Sequence, residues 1–269
     1  MKVDFHVHST ASDGTYTPEE IILLSKKENI EIISITDHDT IDGIKNLRVN
    51  GIKFISGLEI SAEYPSTLHI LGYGFNINDE KLNKTLDLLK KYRLERNKII
   101  LEKIQRYGFN ITMDELIKEA NGKHIGRPHF ASLLVKKGYV ENLNIAFEKY
   151  LKKGALFYED KKRLEMDKAI ELISNAGGIA VLAHPYQTKL EGKELENLVK
   201  KLVGFGLKGI EVYYSKHTLQ MVEEYEKLAE KYGLVKTAGS DFHGKNTPDI
   251  KLGIEIEKEK IKMFLEVLD

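Results

Sequence analysis

The sequence predicts an α/β fold with a small helical insertion. Three observations carry this. Apolar runs at residues 178–183, 209–214 and 234–239 read as buried strands, and amphipathic helical stretches separate them. At the start of the chain Val3, Phe5 and Val7 alternate with Asp4, His6 and His8, the period of a strand. Between Asn78 and Lys153 the period changes, with Leu82, Leu86, Leu89 and Tyr92 recurring at helical spacing and no strand run. Alternating β and α with near-continuous apolar strands implies parallel strands covered by helices. A length of 269 residues suits one large α/β domain or one domain carrying an insertion. The expected division is 1–78 and 156–269 for the α/β part, and 79–155 for the insertion.

Each element has a local reason. After the first strand, Thr17-Pro18-Glu19-Glu20 reads as a helix start, with threonine as N-cap, proline in the first turn and glutamate closing a capping box. The helix runs to about Glu28. Strand candidates follow at 32–36, 53–58 and 69–74. Within the insertion, residues 114–117 and 130–134 look helical. After Phe157 the α/β alternation resumes.

Composition narrows the chemistry. With 42% hydrophobic and 30% charged residues the chain has the balance of a folded soluble protein. It has no cysteine, which excludes disulfides, thiolate zinc sites, iron–sulfur clusters and a cysteine nucleophile. No apolar signal-peptide core opens the sequence and no run approaches a membrane span, so a cytoplasmic protein without membrane partners is expected. No feature calls for an obligate protein partner. The 41 basic residues balance the 41 acidic ones. Residues 80–155 nevertheless hold 17 Lys+Arg against 9 Asp+Glu. That excess fits either attraction of an anionic ligand or lysine-rich solvated helix faces.

Of nine histidines, five end or follow a strand candidate. His6 and His8 are two apart and share a face. His38 follows the second strand in Thr36-Asp37-His38-Asp39, and His184 follows the run ending at Ala183. Asp241 and His243 follow the last strand, Glu59 closes the third, Asp13 lies in the first loop, and His69 adds a sixth imidazole. Taken singly, each is an ordinary strand-end or surface group. In a parallel α/β barrel, however, the C-terminal strand ends converge on one rim. Six imidazoles and three carboxylates crowded there would repel or titrate, and divalent zinc, manganese or iron would resolve the conflict. Nine donors exceed one ion's coordination and point to a site of two or three ions.

These residues resemble the four motifs of the PHP (polymerase and histidinol phosphatase) family: Phe5-His6-Val7-His8-Ser9 with Asp13, Thr36-Asp37-His38-Asp39-Thr40, Gly57-Leu58-Glu59 with His69 and Ala183-His184-Pro185, and Ser240-Asp241-Phe242-His243. The resemblance implies a distorted seven-stranded (β/α) barrel holding two or three divalent ions, with manganese foremost and zinc or iron(II) as alternatives. Residues 125–131, containing Arg127, Pro128 and His129, resemble the branch of small stand-alone phosphoesterases acting on nucleotides. By this likeness His6, His8 and Asp241 hold one ion, bridged through Glu59 to a second that takes His69 and His184; Asp13, His38 and His243 hold a third. One departure is that 155–160 replaces the branch's proline-rich segment.

The implied activity is hydrolysis of a nucleoside phosphate, either a 3′,5′-bisphosphate or the 5′ end of a short oligoribonucleotide, by metal-activated hydroxide attack on phosphorus. Arg127 would grip phosphate in a bidentate contact and His129 would bind it or protonate the leaving oxygen. Arg127-Pro128-His129 also reads simply as a helix start with Pro128 first. Tyr158 or Tyr214 would supply a slot for a base, and Asp37 and Asp39 would orient imidazoles or shape turns. His217 would line the pocket or face solvent, and His124 reads as a loop residue. A monoesterase for another metabolite such as histidinol phosphate is the alternative. A non-enzymatic metal-binding module is a second alternative, and it predicts lost ligands where none is lost.

Overall fold

The computed structural model of the chain describes residues 1–120 and 125–268. The alternating run at the start forms β1 (Lys2–Asp4), and residues 5–8 prolong it in extended pairing. Thr36 N–H donates to the Val7 carbonyl on one side, while Phe5 N–H donates to the Ala238 carbonyl on the other. The next element, α1 (Pro18–Lys27), begins as its sequence predicts: the Thr17 hydroxyl accepts from Glu20 N–H, and the Glu20 carboxylate accepts from Thr17 N–H.

The strands β2 (Ile32–Ile35), β3 (Lys53–Ser61), β4 (His69–Tyr73), β5 (Ile179–Leu182), β6 (Gly209–Tyr214), β7 (Val235–Gly239) and β8 (Ile254–Glu255) complete the sheet. Among the described residues its order is β7-β6-β5-β4-β3-β2-β1-β8. Beyond β7, Asp241 N–H donates to the His6 carbonyl and His8 N–H to the Phe242 carbonyl. These bonds join the last long strand to the first and curl the sheet into a nearly closed barrel, with β8 added antiparallel to β1. Helices α6 (Met166–Asn175), α7 (Gly192–Gly204) and α8 (Leu219–Tyr232) link the later strands. In α7 the buried positions Leu195, Leu198, Val199 and Leu202 mark one face at helical spacing. Finally, α9 (Lys262–Leu268) sets Phe264 edge-on to Phe5 and Tyr73, with ring centroids 4.9 and 5.1 Å away.

The sheet is not uniformly parallel as the apolar pattern implies. β4 runs antiparallel to both β3 and β5. The link from Ser61 to His69 is too short for the dozen or more residues that a parallel crossover needs, so the chain turns straight back.

The chain divides into two compact units, Met1–Leu86 with Arg163–Asp269, and Asp87–Lys162. The dividing point lies within α2 (Glu80–Arg106). The second unit reaches past 155, the expected end of the insertion, because Phe157 is part of its core with Ile100, Ile104, Leu116, Phe130 and Leu134. It contains α3 (Met113–Glu119), α4 (Arg127–Lys136) and α5 (Leu143–Ala146), the last continuing into a single π-helical turn at Phe147–Leu151. Gly126 is the N-cap of α4, so Arg127, not Pro128, takes the first helical position. Among the described residues, no helix is long and apolar enough to cross a membrane.

Candidate metal centre

The nine predicted donors all belong to the barrel unit. His6 and His8 project inward from the extended run after β1, and their Nε2 atoms converge to 3.1 Å. Glu59, on β3 and fully buried, is the hub. Its Oε1 lies 2.8 Å from His69 Nδ1 and 2.9 Å from His184 Nε2. Its Oε2 lies 2.8 Å from His38 Nδ1, 3.3 Å from His8 Nε2 and 3.5 Å from His6 Nε2. From the far end of β7, Asp241 Oδ1 comes within 3.1 Å of His8 Nε2, and His243 Nε2 lies 3.2 Å from Asp13 Oδ1.

The reversal of β4 explains why His69, which begins a strand, joins residues that end theirs. In an antiparallel strand the N-terminal end lies level with the C-terminal ends of its neighbours, and Ser61 pairs directly with His69. Backbone geometry is also spent here. His184 (φ +25°), Asp39 (φ +54°) and Asp241 (φ +59°) adopt positive φ without being glycine, a conformation that surrounding structure must impose.

Buried partners hold several imidazoles by the nitrogen that faces away from the centre. His6 Nδ1 lies 2.9 Å from Glu211 Oε1, and His243 Nδ1 lies 2.8 Å from the Asp241 carbonyl. His8 Nδ1 lies 3.4 Å from Ser12 Oγ, which donates to Asp37 Oδ1 at 2.6 Å. Asp37 also accepts from the backbone N–H and hydroxyl of Ser9. The Tyr214 hydroxyl donates to Asp241 Oδ2 at 2.8 Å, leaving Oδ1 toward the histidines. Donation of the outward N–H fixes each ring's orientation and turns the other nitrogen inward, where an ion would take its lone pair in place of a proton.

These charges distort one another. Burial opposes a charge on His8, yet a hydrogen bond to Asp241 and the attraction of the Asp241 and Glu59 carboxylates carry its pKa up to about 10. His6 is likewise raised, against burial, by Glu211, Glu59 and Asp241. Burial pushes His69 down to about 4, so it is neutral at physiological pH. Burial works to raise Glu59, but His38, His69 and His6 hold it well below the usual carboxylate range.

The donor set fits divalent cations. Four groups, His8–Asp13–His38–His243, His6–His184–Asp241, His6–His8–Glu59 and His38–Glu59–His69, each bring ligand atoms within 4.8 Å of one another. His38 Nδ1 and Glu59 Oε2 are both buried and neither makes a hydrogen bond, although they are 2.8 Å apart. Two such atoms facing each other are what a shared cation satisfies, and imidazole with carboxylate is the chemistry of zinc, manganese and iron.

Arg127 and His129 lie in the second unit. The Arg127 guanidinium donates to the Leu151 carbonyl and stands 5.4 Å over the Tyr158 ring; His129 Nδ1 accepts from Gly126 N–H at 2.9 Å. His217 is half-buried: its Nδ1 donates to the Val212 carbonyl, and its ring packs against Tyr214 and Tyr225. Tyr214 is only 5% exposed, so it offers little face to a base. His124 lies outside the described residues. Sequence reasoning passed over Asp4 and Glu211, both fully buried; the available signal was an acid placed inside an apolar strand.

A barrel with this rim of donors defines a class, and the chain belongs to it: the PHP domain family, whose model matches residues 4–263. The chain is similar to a 5'-3' exoribonuclease of Haemophilus influenzae, 32% identical over 90% of each protein. It is equally similar, at 32%, to a 3',5'-nucleoside bisphosphate phosphatase of Chromobacterium violaceum, over 90% of this chain and 87% of the relative. A solved structure from Bifidobacterium adolescentis, provisionally described as a metal-dependent phosphoesterase, superposes with a TM-score of 0.83 at 28% identity, covering 98% of this chain and 95% of that one.

Proposed function

We propose that this protein is a metal-dependent phosphoesterase that hydrolyses a nucleoside phosphate, either a 3′,5′-bisphosphate or the 5′ end of a short oligoribonucleotide. The observation that carries the reading is the convergence of nine donors around Glu59 at one barrel rim. The nucleotide substrate is supported by similarity to an exoribonuclease and a bisphosphate phosphatase over nine-tenths of the chain.

His6, His8, Asp241 and Glu59 would hold one ion, Glu59, His69 and His184 a second, and Asp13, His38 and His243 a third, with manganese favoured over zinc or iron(II). Such ions supply Lewis acidity at a phosphoryl oxygen and lower the pKa of water toward neutrality. The chain's own residues do the rest. Low-pKa His69 stays unprotonated, while Ser12, Glu211 and the Asp241 carbonyl hold three further imidazoles in fixed tautomers. We also propose Arg127 and His129 as phosphate-contacting groups. Arg127 opens α4, where helix N–H groups favour an anion, and His129, accepting at Nδ1, carries its proton at Nε2 as a donor.

The test is product release by manganese-reconstituted protein, measured side by side: inorganic phosphate from adenosine 3′,5′-bisphosphate, 5′-AMP and histidinol phosphate, and mononucleotide from a short 5′-phosphorylated RNA. Preference for the bisphosphate or the RNA supports the proposal. Preference for histidinol phosphate, or no release from any, overturns it.

A further inference from the structure

We propose that Glu211 is a positioning residue that sets two donors of the metal centre at once, one through its ring and the other through its backbone. Glu211 lies within β6, a strand buried at every position. No water reaches it, so its carboxylate depends on protein donors. Oε1 lies 2.9 Å from His6 Nδ1, and Oε2 accepts from the His184 backbone N–H at 2.7 Å. Both oxygens are engaged, and Glu211 belongs to none of the donor groups facing the centre.

The two contacts act on different variables. Accepting from His6 Nδ1–H fixes that tautomer and turns the Nε2 lone pair toward Asp241 Oδ1 at 3.4 Å and Glu59 Oε2 at 3.5 Å. Accepting from His184 N–H anchors the peptide on the strained side of the bend, where His184 has φ +25° and ψ +69°. That bend delivers His184 Nε2 to within 2.9 Å of Glu59 Oε1. His6, His184 and Asp241 form one of the convergent groups, so a single carboxylate governs two of its three members. The fold also leaves space for the arrangement. A Cβ on Gly239 would stand 2.7 Å from Glu211 Oε1, inside contact distance.

A glutamine matches the shape of glutamate but not its function here. Its one oxygen can replace one acceptor, and its NH2 would then face the other donor. The inference rests on the metal-binding reading above, so its test reads metal and tautomer rather than turnover. Chelator-treated wild type and Glu211→Gln are titrated calorimetrically with Mn2+, and the His6 ring nitrogens of Zn2+-loaded wild type are observed by 15N NMR. The expected result is an Nδ1-protonated His6 in wild type, and a Kd for the variant weakened about 10–100-fold with unchanged circular dichroism. Unchanged Mn2+ affinity in a folded variant overturns the inference, as does an Nε2-protonated His6 in wild type. If the variant does not fold, the wild-type tautomer decides. A wild type that takes up no Mn2+ refutes the metal reading itself, and the inference with it.

Discussion

Replacing Gly239 with alanine perturbs the centre without changing any donor. The added Cβ would lie 2.2 Å from His6 Cβ, 2.7 Å from Glu211 Oε1 and 2.9 Å from His6 N. Non-bonded carbons prefer about 3.5–4.0 Å, so β7 and the His6 backbone have to separate by about 1 Å or more. Overpacking of this kind costs about 1–3 kcal/mol. For chains near this size each kcal/mol lowers Tm by about 2–4 °C, giving an expected fall of about 2–12 °C in the ion-free protein. Binding suffers separately. Metal–imidazole bonds are about 2.0–2.1 Å long, and a 1 Å displacement of His6 is half that length. Mn2+ affinity should therefore drop by more than the 10–100-fold typical of disturbing an outer partner. Scanning calorimetry and Mn2+ titration read the two effects. A variant with wild-type Tm and wild-type affinity would show that β7 and His6 are not packed as described, and the reasoning would fail.

Two further outcomes are expected. Glu59→Ala removes a donor common to two of the convergent groups, and His184→Ala removes one from a third; each should cut phosphoester hydrolysis at least 100-fold after chelation and manganese return, and full activity in either would refute the ligand assignment. The ion-free protein should lose stability as pH rises from about 6.5 toward 10, because His8 has its pKa raised from 6.5 to about 10 on folding and its contribution is complete only below the lower value. The slope from this proton is at most about 1.4 kcal/mol per pH unit. Urea unfolding across that window reads it, and a flat or rising profile contradicts the protonated His8.

Most of the converging groups are legible because they stand in or beside an apolar run, where a polar residue has no structural errand; Asp13, in the first loop, is the exception. The capping box at Thr17 and Glu20 was legible for the same local reason. The direction of β4 was not, because a strand's apolar pattern reads the same both ways; only the short link after Ser61 decides it. Glu211 was hidden by its surroundings. One acid inside a buried strand acquires meaning only when His6 and His184, distant in sequence, are seen to need an acceptor. The same holds for Asp4, which takes the backbone N–H and hydroxyl of Ser240. Arg127 is conspicuous in sequence because its motif opens a helix, and its described contacts include Leu151 and Tyr158.

The join between the first and last long strands has a consequence for how the protein is made. Asp4 and Ser240, bonded to each other, are separated by 236 positions in the chain. His6 and His8 are synthesised more than 200 residues before Asp241 and His243. At about 5–20 residues per second of translation, the early pair waits on the order of ten seconds or more for its counterparts. A cation captured in that interval would meet only part of its donor set and would be held weakly. The full centre therefore cannot nucleate folding; it closes after the long-range pairing that slows such topologies. Strong metal binding thus marks a chain in which the β1 run and the segment after β7 have already met.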